Sequence, residues 1–288
     1  MAAMSSRQCA SMVEASSSSN SDAVLVDALA VLSIKAGEAI LAVRRGGVSV
    51  EKKADASPVT EADRAAERVI AEGLARVAPG VPMIGEEGAY EGNIPEIGRE
   101  FFLVDPLDGT REFVKGGSDF TVNIGLVRDG VPALGVIFVP VTGELYGGAA
   151  GLGAWRAEAA GGAIGARRRM QVRKPPDGPI DVVASRSHRN RETDAFIARF
   201  EIGKLVSAGS SLKFCVVAAG EADLYPRLGP TMQWDTAAGE AILRAAGGSV
   251  VTTEGQPLFY GRGAAAGPDA FRNPSFIATG GFDPLPAD

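Results

Sequence analysis

Two amphipathic helical patterns precede the first strand pattern of this chain, and this order restricts its fold. Apolar residues recur at helical spacing over residues 25–43, and the pattern ends at the arginines and glycines of residues 44–47. A second helix is predicted from Thr60, where Asp63 completes a pair resembling a capping box and an apolar stripe follows. A doubly wound dinucleotide-binding fold instead alternates strands and helices from its start. We therefore expect a different arrangement of layers.

The rest of the chain mixes strand and helix patterns. In the first half, strands are predicted at residues 82–84, 101–104, 122–126, 131–139 and 144–146; the second is a continuous apolar run typical of a central strand, and a hairpin turn at 128–130 joins the next two. In the second half, strands at 180–184, 222–225 and 249–253 alternate with helices at 192–200, 210–219 and 236–246. The patterns predict an α+β fold, a layered αβαβα sandwich.

Composition divides the chain into a tail and a folded part. Residues 1–21 contain a serine-rich run with little apolar periodicity, so they are predicted to form a disordered N-terminal tail. Residues 22–288 are predicted to form one domain of two halves, about 22–170 and about 171–288, because the segment 150–179 is rich in glycine, alanine, arginine and proline and suits a seam.

Charge and composition exclude several classes of function. The net charge of −6 and the pI of about 5.1 argue against a broad nucleic-acid-binding surface. No run approaches the ~18 apolar residues of a membrane span, and the N-terminus lacks a secretory signal pattern. The two cysteines, Cys9 and Cys215, give no disulfide framework, so the cytoplasm is the expected location, with peripheral association with the inner membrane left open.

The strongest chemical signal is the sequence VDPLDGT at residues 104–110. Pro106 removes a ladder donor, so the buried strand is expected to end at Asp105, and Asp108 follows on a tight turn. Carboxylates at this spacing favour binding of a hard cation through oxygen, to which the Leu107 carbonyl could add, while the following amides could hold a phosphate oxygen. The simpler alternative is an Asx turn that caps a helix.

Two further acidic motifs support the metal interpretation. Glu86, in the sequence GEEG at 85–88, follows a short strand, and Asp235, in WDTAAG at 234–239, stands at the start of a helix, where a helix cap is the simpler explanation. Three acidic motifs at strand ends and helix starts are harder to explain as unrelated caps. Two Mg²⁺ ions with shared carboxylates suit in-line phosphoryl transfer. The haloacid-dehalogenase motif, by contrast, has one residue fewer between its aspartates.

Four motifs together identify a resemblance. The sequences SPVTEAD (57–63), GEE (85–87), DPLDGT (105–110) and WDTAAG (234–239), in this order within residues 24–280, resemble the inositol monophosphatase superfamily. Within it, ASRSH (184–188), GSSLKFC (209–215) and LYPRLGP (224–230) are similar to 3′(2′),5′-bisphosphate nucleotidases of the CysQ type. The resemblance implies the sandwich of the inositol monophosphatase and sugar phosphatase type and a Mg²⁺-dependent, Li⁺-sensitive phosphatase of sulfur assimilation that hydrolyses adenosine 3′,5′-bisphosphate to AMP and phosphate.

The resemblance also implies roles for individual residues. It implies two or three Mg²⁺ ions, with the metal ligands Glu86, Asp105, the Leu107 carbonyl, Asp108 and Asp235. It implies direct attack by a metal-activated water, which Asp63, Thr110 and Glu86 prepare. It implies substrate contacts from Glu86, Asp108, Gly109, Thr110, His188, Ser210, Lys213, Arg227 and Asp235, so that the first half binds metal and the second half the nucleotide.

Several alternatives stay open on the sequence alone. The same chemistry could act on inositol monophosphate or fructose 1,6-bisphosphate, and a non-catalytic sensor of phosphonucleotides would need a similar pocket. His188 could be a solvated loop residue, Lys213 a surface lysine and Arg227 half of a surface ion pair. The expected partner is a small phosphorylated nucleotide, with no nucleic acid and no stable membrane insertion, and the chain is expected to be a monomer or a homodimer.

Overall fold

The computed structural model describes residues 6–47, 50–52, 58–174, 177–185 and 189–285. The helices of this part of the chain are α1 (Ser6–Gly46), α2 (Glu61–Val77), α3 (Glu86–Tyr90), α4 (Thr110–Val114), α5 (Arg191–Ile197), α6 (Leu212–Ala218) and α7 (Gln233–Ala245), with a 3₁₀ helix at Gly267–Phe271. Its strands are β1 (Val50–Lys52), β2 (Pro58–Thr60), β3 (Met83–Gly85), β4 (Glu100–Asp108), β5 (Thr121–Arg128), β6 (Val131–Phe138), β7 (Glu144–Ala149), β8 (Gly153–Ala160), β9 (Ala163–Ile164), β10 (Arg168–Met170), β11 (Ile180–Ala184), β12 (Ile202–Ser207), β13 (Leu224–Arg227), β14 (Ser249–Thr252) and β15 (Phe276–Thr279).

The strands form two main sheets and one small one. The large sheet has the order β10-β8-β7-β6-β5-β4-β3, with β9 on β8; β3 runs parallel to β4 and the other neighbours are antiparallel. The second sheet has the order β12-β11-β13-β15-β14, in which β11 is parallel to both of its neighbours. β1 and β2 pair with each other. The large sheet thus has one parallel pair at its β3 edge, where the acidic motifs cluster.

Helices cover both faces of the large sheet. On one face, Phe102 and Val104 of β4 pack in a core with α1 and α2. On the other face, Phe101 and Leu103 pack in a second core with α6 and α7, which the inner face of the second sheet shares. A third core joins α5 to the outer face of that sheet. The αβαβα sandwich predicted from the sequence is therefore confirmed, and β4 reads as a continuous apolar run because both of its faces are buried.

Glycines in the large sheet let α7 lie directly against it. A Cβ on Gly135 of β6 would stand 2.4 Å from the carbonyl oxygen of Ala238, and one on Gly125 of β5 would stand 2.9 Å from the Ala237 Cβ. These distances are shorter than any ordinary carbon contact, so larger residues would force the helix away from the sheet. The small residues of WDTAAG and of β5 and β6 therefore fix where α7 begins.

Two segments differ from the sequence-based expectation. The backbone is helical from Ser6, where a disordered tail was expected over residues 1–21; residues 1–5 lie outside the described part. Extending a helix that is already anchored costs far less than starting one, so a serine-rich stretch can continue it. The segment 150–179, expected to be a seam, supplies β8 to β10 as far as Met170, while the change of sheet between Met170 and Ile180 lies at the boundary of about 170/171 expected between the two halves. Over the described residues, no helix is both long and apolar enough to span a membrane.

Candidate active site

The ends of two parallel strands bring Glu86 and Asp105 together. Gly85, the last residue of β3, is paired in register with Val104 of β4, so the residue that follows each lies at the same edge of the sheet. Glu86 is the first residue of α3, and Asp105 is 2% exposed. Carboxyl ends of neighbouring parallel strands are a common location for binding sites. Glu86 and Asp105, 19 positions apart in the chain, thus meet because of strand pairing.

β4 does not end at Asp105, contrary to the prediction, but continues through Pro106 to Asp108. The register against β5 shifts between Asp105 and Asp108, so the proline lies in a bulge, where a missing ladder donor does little harm. The Asp105 Oδ1 accepts the Leu107 amide at 3.0 Å, which fixes the bulge. Gly109 follows with a φ of +99°, which residues with a side chain rarely adopt. A Cβ added at this position would also stand only 2.7 Å from the Ser210 Oγ.

The third acidic motif enters the site from α7. The N-cap residue of this helix is Met232, so Asp235 is its third residue rather than its cap. One carboxylate oxygen, Oδ2, accepts the Met232 amide at 2.8 Å, as expected for a residue that satisfies the free amides of a first turn. One oxygen of this side chain therefore serves the first turn of the helix, and the role of Asp235 as a metal ligand stays a prediction.

Glu86, Asp105 and Asp235 form an acidic cluster. Each contributes one carboxylate oxygen, and these oxygens all lie within 4.8 Å of one another. Burial raises the pKa of Asp235, and the neighbouring carboxylates of Asp108 and Glu86 raise it further. Burial also raises the pKa of Asp108, which the Lys213 ammonium partly offsets. Buried carboxylates that repel one another are stabilised by a cation, and an all-oxygen donor set fits a hard divalent ion such as Mg²⁺.

Asp63 and Thr110 are hydrogen bonded at the side of this cluster. The Thr110 Oγ1 lies 3.1 Å from the Asp63 Oδ1 and 3.2 Å from the Leu107 carbonyl oxygen. The other carboxylate oxygen of Asp63 accepts the Thr60 amide at 2.8 Å and the Thr60 hydroxyl at 2.7 Å, so the predicted capping box is present. Asp63 is thereby held in one orientation, with its Oδ1 directed at the threonine.

Cationic groups from the second half of the chain face the cluster. Lys213 is 4% exposed, so the surface-lysine alternative is wrong; its ammonium group donates to the Ser210 carbonyl and lies 5.4 Å from the centre of the Tyr225 ring. Burial lowers the pKa of Lys213 to about 8, although the Asp108 carboxylate opposes this effect. Arg227 donates from one terminal nitrogen to the Pro230 carbonyl at 2.8 Å. Its Nε is buried without a hydrogen-bond partner among the described residues.

Most of these groups line one cavity of about 350 Å³. The sequence-predicted site residues that line it are Glu86, Asp105, Leu107, Asp108, Gly109, Thr110, Ser210, Lys213, Arg227 and Asp235. Asp63 lies behind the wall and reaches the cavity through Thr110. His188 lies outside the described residues. The volume suits a small molecule, and the roles of the individual residues stay predictions.

Two residues beside Asp108 were not predicted from the sequence. The Asn123 side chain and the Ser211 backbone amide lie close enough to the Asp108 carboxylate to lower its pKa. The Ser211 hydroxyl in turn donates to the Asn123 Oδ1 at 2.7 Å. Asn123 is fully buried and interrupts the apolar sequence of β5. A polar residue inside an apolar strand is the one sequence signal that could have marked it.

Comparison with known proteins gives a consistent result. The model of the inositol monophosphatase family matches residues 22–278. The 3′(2′),5′-bisphosphate nucleotidase CysQ of Escherichia coli K12 is 43% identical over 256 residues, which cover 88% of this chain and 98% of that protein. The nucleotidase of the same name from Salmonella typhimurium LT2 is 42% identical over 259 residues, with 88% and 99% covered. The resemblance found in the sequence is thereby confirmed.

Solved structures agree with this result. CysQ from Bacteroides thetaiotaomicron, described as a bacterial member of the inositol monophosphatase family, superimposes with a TM-score of 0.71 at 38% identity and covers 89% of this chain and 98% of its own. An inositol monophosphatase from Anabaena superimposes with a TM-score of 0.66 at 26% identity, with 90% of each chain covered.

Proposed function

This chain belongs to the inositol monophosphatase family, and we propose that it is a Mg²⁺-dependent 3′(2′),5′-bisphosphate nucleotidase that hydrolyses adenosine 3′,5′-bisphosphate to AMP and phosphate. One observation carries this proposal. The cavity that holds the acidic cluster of Glu86, Asp105 and Asp235 also holds Lys213 and Arg227. With Mg²⁺ bound to the cluster, the phosphate to be cleaved would meet positive charge there, and Lys213 and Arg227 would supply positive charge for a second phosphate.

The proposed metal ligands are the carboxylates of Glu86, Asp105, Asp108 and Asp235 and the carbonyl oxygen of Leu107. They would hold two or three Mg²⁺ ions. When bound, Mg²⁺ would lower the pKa of a nearby water and offset the negative charge of the phosphoryl oxygens. The burial of Asp108 and Asp235 and their repulsion by neighbouring carboxylates both raise the pKa values of these groups, and they support this assignment because a bound cation would stabilise the ionised forms.

In the proposed reaction, Thr110 and Asp63 move a proton away from the attacking water. The Thr110 hydroxyl already donates to the Asp63 Oδ1, so a lone pair of its oxygen can accept from a water in the cavity. As the water oxygen bonds to phosphorus, its proton passes to Thr110 and the threonine proton to Asp63. The bond between phosphorus and the ribose oxygen breaks, and that oxygen takes a proton from a solvent water to leave as a hydroxyl, while Asp63 later returns its proton to solvent. The amides of Gly109 and Thr110 are proposed to contact the phosphoryl oxygens.

The nucleotide is proposed to lie along the wall formed by α6 and β13. Arg227, with its unpartnered buried Nε, would bind the second phosphate in the planar manner of guanidinium groups. Lys213 and Ser210 line the same cavity as this arginine and would contact the sugar and the phosphate to be cleaved. His188 is proposed to contact the nucleoside. The proposed setting is sulfur assimilation in the cytoplasm, by a monomer or a homodimer acting on a small-molecule substrate.

A phosphate-release assay tests the proposal. The purified protein is compared on adenosine 3′,5′-bisphosphate, inositol 1-phosphate and fructose 1,6-bisphosphate, each with Mg²⁺, with Mg²⁺ plus Li⁺, and with EDTA. We expect Mg²⁺-dependent, Li⁺-sensitive turnover with the highest kcat/KM on the nucleotide. Higher kcat/KM on either sugar phosphate would transfer the assignment to that substrate. Binding of the nucleotide without phosphate release would show that the protein is a non-catalytic sensor.

A further inference from the structure

Glu67 of α2 reaches the first turn of the helix that starts with Glu86. Its Oε2 accepts the Glu87 amide at 2.9 Å, and its Oε1 accepts the Gly88 amide at 2.8 Å. These amides belong to the first turn of α3, where backbone donors have no partner within the helix. The N-cap residue, Gly85, has no side chain that could serve them. A carboxylate from another helix therefore caps α3.

The glycines of the sequence GEEG make room for this carboxylate. A Cβ on Gly85 would stand 2.5 Å from the Glu67 Cδ, and a Cβ on Gly88 would stand 3.1 Å from its Oε1. The backbone on both sides of Glu86 is therefore pressed against the Glu67 side chain. A charged acceptor at this distance also makes each hydrogen bond stronger and more directional than a neutral one.

One face of α2 thus reaches two parts of the site. Asp63 and Glu67 are four residues apart and lie on the same face of the helix. Asp63 accepts from Thr110, while Glu67 holds the amides that follow Glu86. A third contact, between Arg64 and Glu91 at 3.7 Å, ties the same face to the end of α3.

We propose that Glu67 is a positioning residue for the metal site, because its bonds to the two amides after Glu86 fix the direction of the Glu86 carboxylate. This inference rests on the proposed function in one respect: Glu86 must be a metal ligand. A group that orients a ligand changes metal affinity, whereas a contact that serves only the fold changes the stability alone.

The test compares three variants with the wild-type protein. Glu67→Gln keeps the shape of the side chain but loses its charge and presents an amide to one of the two backbone donors. Gly88→Ala keeps the charge of Glu67 but crowds its Oε1. Glu72→Gln, an exposed glutamate on the same helix, is the matched control. Binding of Mn²⁺, followed through the electron paramagnetic resonance signal of the free ion, measures metal affinity without turnover.

We expect Glu67→Gln to weaken Mn²⁺ binding and to raise the Mg²⁺ concentration for half-maximal activity by ~10-fold or more, since outer-shell changes have this effect. The KM for the nucleotide at saturating Mg²⁺ should change by less than about threefold. Gly88→Ala should shift both metal readouts in the same direction. If Glu67→Gln does not fold, Gly88→Ala tests the proposal in its place. Glu72→Gln should match the wild type.

Unchanged Mn²⁺ affinity in folded Glu67→Gln and Gly88→Ala would overturn the proposal, as would loss of thermal stability with no shift of the metal midpoint. The binding measurement also separates this inference from the proposed function. A wild-type protein that binds Mn²⁺ but releases no phosphate from the nucleotide refutes the substrate and leaves the role of Glu67 to be decided by the affinities.

Discussion

The Thr110 hydroxyl lies 3.1 Å from the Asp63 Oδ1, although the two residues are 47 positions apart in the chain. Asp63 is 1% exposed, and its other oxygen is occupied by the amide and hydroxyl of Thr60. The carboxylate therefore has one oxygen for the helix cap and one for the threonine. The cap that starts α2 therefore also sets the direction of the hydrogen bond from Thr110, along which the proposed proton transfer would run.

Thr110→Val should remove this proton path while keeping the shape of the side chain. We expect kcat to fall by roughly 10²- to 10⁴-fold, the usual contribution of general acid–base groups. The Mg²⁺ midpoint should stay close to that of the wild type, because the lost hydroxyl is not among the proposed ligands. Thr110→Ser is the matched control and should keep most of the activity. Steady-state kinetics across a Mg²⁺ series measure both quantities, and full activity of the valine variant would exclude the proposed path.

Asp105→Asn should leave the fold intact and nearly abolish turnover with Mg²⁺. An asparagine can keep the bond from the Leu107 amide, which now ends on the Asp105 Oδ1 at 3.0 Å. The lost charge should weaken metal binding and remove several kcal/mol of transition-state stabilisation, or ~10³-fold in rate. Circular dichroism confirms folding and phosphate release measures activity. Asp129→Asn, on the exposed β5–β6 turn, serves as the control, and wild-type turnover by a folded Asp105→Asn would contradict the assignment.

Arg227→Met should affect substrates with two phosphates more than those with one. Losing hydrogen bonds to a charged group costs roughly 1.5–3 kcal/mol, so KM for adenosine 3′,5′-bisphosphate should rise by about 10- to 100-fold with little change in kcat. Turnover of a nucleoside monophosphate should change less. Arg227→Lys should recover only part of the loss, since lysine lacks the planar fork of donors. An equal loss on both substrates would mean that this arginine does not recognise the second phosphate.

Much of the site could be predicted because its signals are local. The capping pair of Thr60 and Asp63, the turn after Asp105 and the apolar sequence of β4 each depend on residues close in the chain. Strand pairing then brings the carboxylates together, and the order of the motifs was enough to indicate the family. The αβαβα layers follow from the same patterns, since helices and strands alternate in the periodicity of their apolar residues.

The parts that the sequence did not reveal depend on contacts between distant segments. Asn123 and Ser211 form a hydrogen bond although they are 88 residues apart, and no local sequence pattern around either residue predicts this contact. The burial of Lys213 is decided by the packing of α6 between the sheets, and a helical pattern alone could not distinguish it from a surface lysine. Pro106 marked a strand end too early because a bulge, which only the pairing with β5 defines, accommodates it.

The ion pair between the half-buried Arg173 and the buried Asp223 should matter for stability. Asp223 is 1% exposed and accepts the Arg173 Nε at 2.6 Å and the Asp181 amide at 2.7 Å. Arg173→Met should therefore lower the free energy of unfolding by about 3–5 kcal/mol, because it leaves a buried carboxylate without its counter-charge. The exposed pair between Arg99 and Asp129 offers the control, and Arg99→Met should change the stability little. Urea unfolding curves of both variants measure the difference.

Glu240 should make the protein less stable as the pH rises from 4 to 8. Its carboxyl group is 1% exposed and lies 2.8 Å from the Tyr260 hydroxyl, and burial raises its pKa to about 7. In the unfolded chain this group ionises near its ordinary pKa of 4.5. Between these two pKa values the folded state keeps a proton that the unfolded state loses, so stability falls with pH in that window, by on the order of 3 kcal/mol.

Glu240→Gln removes this titration and keeps an oxygen for the hydrogen bond from Tyr260. The variant should therefore resemble the wild type at pH 4 and be the more stable of the two at pH 8, with the gap opening between about pH 4.5 and 7. Every other titrating group is common to both proteins and cancels in the difference between their unfolding free energies, measured in urea across this range. A difference that is constant with pH would show that Glu240 has the same pKa in the folded and unfolded states.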